Sequence, residues 1–172
     1  MQDQFALQPA GQTSVSILIG IAVFIDLSVG AALFFGGNNG LPTLLALLVV
    51  LAVSGLFLWI AFAQFRSRIE LSDSELILHV PLYGRRIPLA KINAMQIQPI
   101  SNLPASSYQL TRRTNGLGIP GYSLGWFRTR GKGKVLAAVT SSRVLAIPVR
   151  DDYTLLLSVV DAEALTRRLR SR

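Results

Sequence analysis

The distribution of apolar and polar positions divides the chain into two unlike parts. From Leu41 to Phe65 no residue is charged, and Arg66-Ser67-Arg68 follows at once. A helix of that length reaches about 37 Å, enough to cross a hydrocarbon core of about 30 Å with some tilt. Trp59, Phe62 and Phe65 fall near its end, where aromatic rings favour the headgroup zone. Val15 to Phe35 is a second apolar stretch long enough to span, broken only by Asp26. Between the two, Gly36-Gly37-Asn38-Asn39-Gly40-Leu41-Pro42 reads as a tight turn, with Pro42 suited to the first turn of the next helix. The pattern predicts a two-helix transmembrane hairpin, 15–35 and 41–65, behind a short polar tail at 1–14. That tail holds no basic residue of the kind a secretory signal begins with, so the first span reads as a retained anchor.

After Arg68 the period falls to two. Ile69 and Leu71 alternate with Arg68 and Glu70. Leu76, Leu78 and Val80 share a face, and Ile87, Leu89 and a run from Ile92 to Ile100 follow, with turns at Ser72-Asp73-Ser74 and Pro81-Leu82-Tyr83-Gly84. Ser101 to Tyr122 has no regular period and reads as a long loop. Leu124 to Arg130, Val135 to Val139, Val144 to Val149 and Tyr153 to Leu157 read as strands. Gly131-Lys132-Gly133-Lys134 forms a hairpin turn, and Pro148 marks an edge or a strand end. The last stretch, from Ser158, alternates at helical spacing, with Ser158 as the expected N-cap and Arg167, Arg168 and Arg170 at the C-terminal end of the dipole. The expected fold class is therefore membrane α plus a mainly-β soluble domain at 66–172: a small split β-barrel closed by a C-terminal helix.

Charge sharpens the division. All 17 Lys and Arg lie at position 66 or later, and of the 9 acids only Asp3 and Asp26 precede it, so the segment after the spans carries +10 and the first 65 residues −2, for the net +8 of the chain. Arg66 and Arg68 on that side predict a multi-pass membrane protein with both termini in the cytoplasm. A basic domain beside a bilayer is drawn to anionic headgroups or acidic partners. The basic residues are spread along strands in no recognition motif, and no nucleic-acid partner is expected.

Candidate chemistry is sparse. The chain has no cysteine, which removes disulfides, thiolate metal sites and thiol nucleophiles. His79 is its one histidine, without a patterned partner, and reads as an ordinary strand residue; no metal site, no cofactor and no catalytic centre are expected. Asp26 has two readings: an ion or subunit contact within the membrane, or a carboxyl bonded to Ser28, Ser54 or a backbone carbonyl across the hairpin. The stretch Arg112-Arg113-Thr114-Asn115-Gly116 either presents guanidiniums and backbone N–H groups to an anion or serves tight turns with solvated arginines. With Trp126, Arg128, Arg130, Lys132 and Lys134 it makes up the candidate partner- or anion-binding set. On strand alternation Phe127 is buried and Trp126 faces outward near the glycine-rich stretch, beside Arg112, Arg113 and Arg128, as a binding anchor, unless the loop folds over it.

The run from Arg113 through Asn115-Gly116-Leu117-Gly118-Ile119-Pro120-Gly121 to Gly125-Trp126-Phe127-Arg128 resembles a signature of bacterial pleckstrin-homology-like domains. Val139 to Arg150 and Tyr153 to Ser158 are similar to the same family. The resemblance covers roughly 66–170 and, with the two spans, implies a bacterial inner-membrane protein. It implies a strongly bent pair of sheets of about seven strands, capped by a C-terminal helix, and a lipid- or protein-binding module without a catalytic centre. Phosphoinositide-binding relatives carry basic residues in the first turn of the domain. Here that turn is Ser72-Asp73-Ser74-Glu75, which repels phosphate. The expected function is a non-enzymatic membrane protein that binds a protein partner or assembles with copies of itself; the alternative is a sensor of anionic lipid headgroups.

Overall fold

The structure, a computed structural model, describes residues 3–36, 40–150 and 153–171. The expected turn at Gly37-Asn38-Asn39 and the acids Asp151 and Asp152 lie outside the described residues. Two helices, α1 (Gln12–Gly36) and α2 (Leu41–Ala63), run together as a hairpin. Both are long and apolar enough to cross a membrane, with mean hydropathy of 2.4 and 2.8. Their large side chains face outward, Phe24 at 71% exposure and Leu27 at 68%. Water would penalise such an apolar surface, whereas lipid accepts it. Where the helices touch, Ser54 Oγ donates to Asp26 Oδ1 at 2.7 Å. Asp26 is thus bonded across the hairpin, with much of its side chain still on the outer surface of α1.

The rest is a mostly-β domain with a C-terminal helix. One sheet holds β1 (Asp3–Ala6), β2 (Arg68–Leu71), β3 (Glu75–His79) and β4 (Arg85–Pro88), all antiparallel in that order. The other has six strands in the order β5 (Gln98–Ile100), β9 (Val144–Val149), β10 (Tyr153–Leu157), β8 (Lys134–Val139), β7 (Tyr122–Thr129) and β6 (Leu110–Ile119). These are two sheets rather than a closed barrel. Strand alternation builds the core between them: Ile69, Leu71, Leu76 and Leu78 from the first sheet meet Leu124, Leu136, Ile147 and Leu155 from the second. The outer face of the larger sheet is buried as well, because the 101–109 segment lays Leu103 and Tyr108 over Phe127, Val135 and Leu156. Helix α3 (Ala162–Arg170) inserts Leu165 and Leu169 into the first core.

Several expectations change. Residues 3–14 are not a tail. Strand β1 pairs with β2 along its length, Leu7 bridges Val159, and Leu7 and Ala10 are buried. The segment is tied in further by Ala10 N to Gln64 Oε1 at 2.9 Å, Gln8 N to Ser158 O at 2.8 Å and Ser14 Oγ to Pro120 O at 2.8 Å. Residues 110–119, read as loop, form β6, because an edge strand open to solvent needs no apolar alternation. The run 92–100 holds one 3-10 turn, Ala94–Gln96, and only Gln98–Ile100 forms a strand. Ser158 does not cap α3. Its buried Oγ accepts from Thr140 N and Ser141 N, and Asp161 is the cap, accepting from Ala164 N at 2.9 Å. Pro148 lies past the end of β5, where β9 needs no donor on that side.

Candidate functional site

The strand ends of the large sheet define two opposite edges. At one, Pro120 meets Ser14 at the start of α1, and Thr140 and Ser141 bond Gln8. At the other lies the hairpin turn between β7 and β8. From Tyr122 to Arg128 the chain runs about 20 Å at 3.3 Å per residue, so the basic residues of that turn stand at the edge away from the helices.

The register places Arg112 opposite Arg128, and Arg128 opposite Lys134. These three cations share one cross-strand row, an arrangement that costs energy unless an anion occupies it. Among the described residues no carboxylate pairs with any of them. Next to the row is an aromatic pair. Trp126 and Tyr153 meet edge to face, with ring centroids 5.2 Å apart. The Lys134 ammonium lies 4.2 Å from the Trp126 centroid, and the Arg85 guanidinium lies 5.0 Å from Trp126 and 5.9 Å from Tyr153. The result is a partly buried indole flanked by two cations, the composition of a recognition anchor for acidic groups.

The candidate residues separate accordingly. Arg112, Arg128, Lys134 and Trp126 come together. Arg113 stands across from Phe127, on the other face of the sheet, and Lys132 reaches Tyr108 at 5.9 Å on that same face. Arg130 sits in the turn, its N–H bonded to Gln109 O. Asn115 and Gly116 are structural: Asn115 Oδ1 accepts from Tyr83 Oη at 3.0 Å, and Gly116 pairs with Gly125. Phe127 and Trp126 lie on opposite faces, as alternation requires, but Trp126 does not face outward: Phe127 is buried on the outer face under the 101–109 segment, and Trp126 lies on the inner face, partly buried against the core between the sheets. The cations over Trp126 are Arg85 and Lys134, however, not Arg112 and Arg113. Sequence reasoning missed Arg85 and Tyr153. Arg85 follows the Gly84 turn as part of a basic pair, and only the packing of one sheet on the other brings it to Trp126.

His79 has a partner the strand pattern did not reveal. Its Nε2 lies 3.0 Å from Glu70 Oε2, while Arg68 Nε donates to Glu70 Oε1 at 2.9 Å. The Arg68 hydrogen bond first, and His79 second, hold the Glu70 carboxyl below its ordinary value of 4.5. Burial pushes the Tyr122 hydroxyl up. Among the described residues no group of His, Asp and Glu is placed to hold a metal ion.

Residues 67–172 match the family described as Bacterial PH domain. No curated protein and no solved structure matches the chain.

Proposed function

Because the chain belongs to the bacterial PH domain family, we propose that it is a non-enzymatic membrane protein whose PH-like domain binds an acidic protein partner through the edge of its large sheet farthest from the helices. The supporting observation is the row Arg112–Arg128–Lys134 beside Trp126, with which no carboxylate pairs among the described residues. Its placement favours a soluble partner over a headgroup. The row stands about 20 Å along β7 from the edge tied to α1, well beyond a Debye length of about 8 Å. The helix hairpin would hold the domain in the bacterial inner membrane with both termini in the cytoplasm. Arg66 and Arg68 support that side, and the pairing of β1 with β2 keeps the segments before α1 and after α2 together. A reporter fused after Arg172 that is active only outside the cytoplasm would contradict this orientation.

Self-assembly is the second reading, favoured by the exposed Asp26 side chain in the middle of α1. One experiment separates the two. The full chain is cross-linked in intact membranes, alongside Arg112→Glu/Arg128→Glu/Lys134→Glu and Asp26→Ala. Partner binding predicts a salt-sensitive adduct with a different protein, reduced at least about tenfold by the triple reversal, since each interfacial charge contributes of order 1 kcal/mol or more. An adduct at twice the chain mass that survives the triple reversal and is lost in Asp26→Ala would transfer the function to self-assembly.

A further inference from the structure

A second cationic surface lies where the domain meets the helices. The end of α2 and the turn between β3 and β4 bound an open cleft of about 240 Å³. Trp59, Ala63 and Arg66 line one wall, and His79, Pro81 and Gly84 line the other. The cleft is amphipathic in a definite direction. Trp59, half exposed, lies in the last turns of an apolar helix, at the depth where an indole prefers the headgroup zone. Arg66 follows just beyond the helix, exposed, and among the described residues no carboxylate pairs with it. The neighbouring acid, Glu70, is occupied by Arg68 and His79, so its charge is compensated and the cleft keeps a positive balance.

The turn beside the cleft carries an independent sign. Leu82 has φ of 62°, in the left-handed region that leucine avoids, and it is 59% exposed. A strained backbone that holds a large apolar side chain out toward water is unfavourable on both counts. Both costs are offset if the side chain meets lipid rather than water. The turn directly follows His79, which pairs with Arg68 at the membrane end of β2, so Leu82 stands on the same side as Phe65 and Arg66.

We propose that this cleft holds the headgroup of an anionic phospholipid from the leaflet that α2 leaves, with the phosphate on Arg66 and the glycerol and upper acyl chain against Trp59 and Leu82. Charge complementarity and position select this occupant: the cleft opens at headgroup depth and lacks a free acid to repel a phosphodiester. The cleft adjoins the partner site through Gly84 and Arg85, but its own cation is Arg66, not Arg112, Arg128 or Lys134. It rests on α2 crossing a bilayer, which resistance to alkaline extraction from vesicles tests independently of any lipid measurement.

The experiment uses the full chain in nanodiscs of phosphatidylglycerol and phosphatidylethanolamine, released for native mass spectrometry. The wild type is expected to retain phosphatidylglycerol in preference to phosphatidylethanolamine. Arg66→Gln should lose about fivefold of that retention, the effect of one basic residue at an anionic surface, while Arg66→Lys keeps most of it and Arg130→Gln changes nothing. Because the chain has no cysteine, Leu82→Cys can be labelled uniquely with an environment-sensitive dye, with Lys132→Cys as the far-edge control. The Leu82 label should be quenched by a nitroxide on the lipid headgroup and the Lys132 label by aqueous iodide alone. Equal retention by wild type and Arg66→Gln, equal competition by free glycerol phosphate, or a Leu82 label reached only by iodide would each overturn the proposal.

Discussion

Removing residues 1–10 is expected to unfold the β-domain even though every residue of the 67–172 family match remains. Those few residues supply an edge strand and part of the core. β1 pairs with β2 from Asp3↔Leu71 to Ala6↔Arg68, and Phe5 packs against the central cluster. Leu7 and Ala10 are 6% and 5% exposed. Arg168 Nε of α3 bonds Asp3 Oδ2, so the strand also clamps the terminal helix. Helix residues Leu18, Ile60 and Ala61 complete the same cluster. A domain of this size has about 5–15 kcal/mol of stability in total. Leu7→Ala alone should cost about 2–5 kcal/mol, and loss of the whole segment should exceed what the remainder can offset. The check is a thermal melt in detergent of the full chain, Leu7→Ala and the chain lacking residues 1–10. The expected order is a clear midpoint, a lowered midpoint and no cooperative transition. A 67–172 fragment that melts cooperatively near the full-length midpoint would show that β1 is dispensable. It would also matter for binding work, because a fragment without β1 exposes the β2 edge and invites false pairing.

How much of this was legible in the sequence depends on where each element finds its partner. α2 needs none: an uncharged stretch from Leu41 to Phe65 states its environment by itself. The strands β2, β3, β7, β8, β9 and β10 pair mostly with sequence neighbours and bury one or both faces, so alternation or continuous apolar runs reveal them. β1 was illegible because its partner lies beyond the whole helix hairpin, and four residues, Asp-Gln-Phe-Ala, carry no period to read. β6 was illegible for the opposite reason. Its central residues Thr111 to Asn115 are all exposed, so only backbone pairing with β7 makes it a strand. The candidate site divides the same way. Alternation within one strand puts Trp126 and Phe127 on opposite faces but does not say which face is which, because the 101–109 segment that covers Phe127 is supplied by another part of the chain. Arg85 joins Trp126 only through the facing of two sheets, a distance in three dimensions that no spacing encodes.

The glycines of the 113–128 stretch illustrate how one pattern holds both structure and function, and they carry the second large expected effect. Gly116 and Gly125 are direct partners across β6 and β7, with φ of 154° and 114°. A Cβ on Gly125 would stand 2.5 Å from Asn115 O, 2.7 Å from Gly116 Cα and 3.0 Å from Tyr83 Cζ. A Cβ on Gly116 would stand 2.3 Å from Leu124 O. The nearest obstructing atoms are backbone, which cannot swing away as a flexible side chain can, so the hairpin must open or the strands must shift. Strained dihedrals and overpacking together should make Gly125→Ala cost about 3–5 kcal/mol. Gly118, two residues along β6 from Gly116, provides the contrast. A Cβ there meets only the Phe127 ring, at 3.5 Å and 3.7 Å, ordinary contacts. Gly118→Ala should change stability by no more than about 0.5 kcal/mol. The two melts therefore test whether this stretch owes its glycines to close strand approach or to an anion held on its backbone N–H groups. A large fall in midpoint for Gly125→Ala with Gly118→Ala unchanged assigns Gly116 and Gly125 to strand approach and leaves recognition to Arg112, Arg128, Lys134 and Trp126. If both variants melt like the wild type, the backbone there is free to open, and Asn115 and Gly116 return as binding groups in their own right.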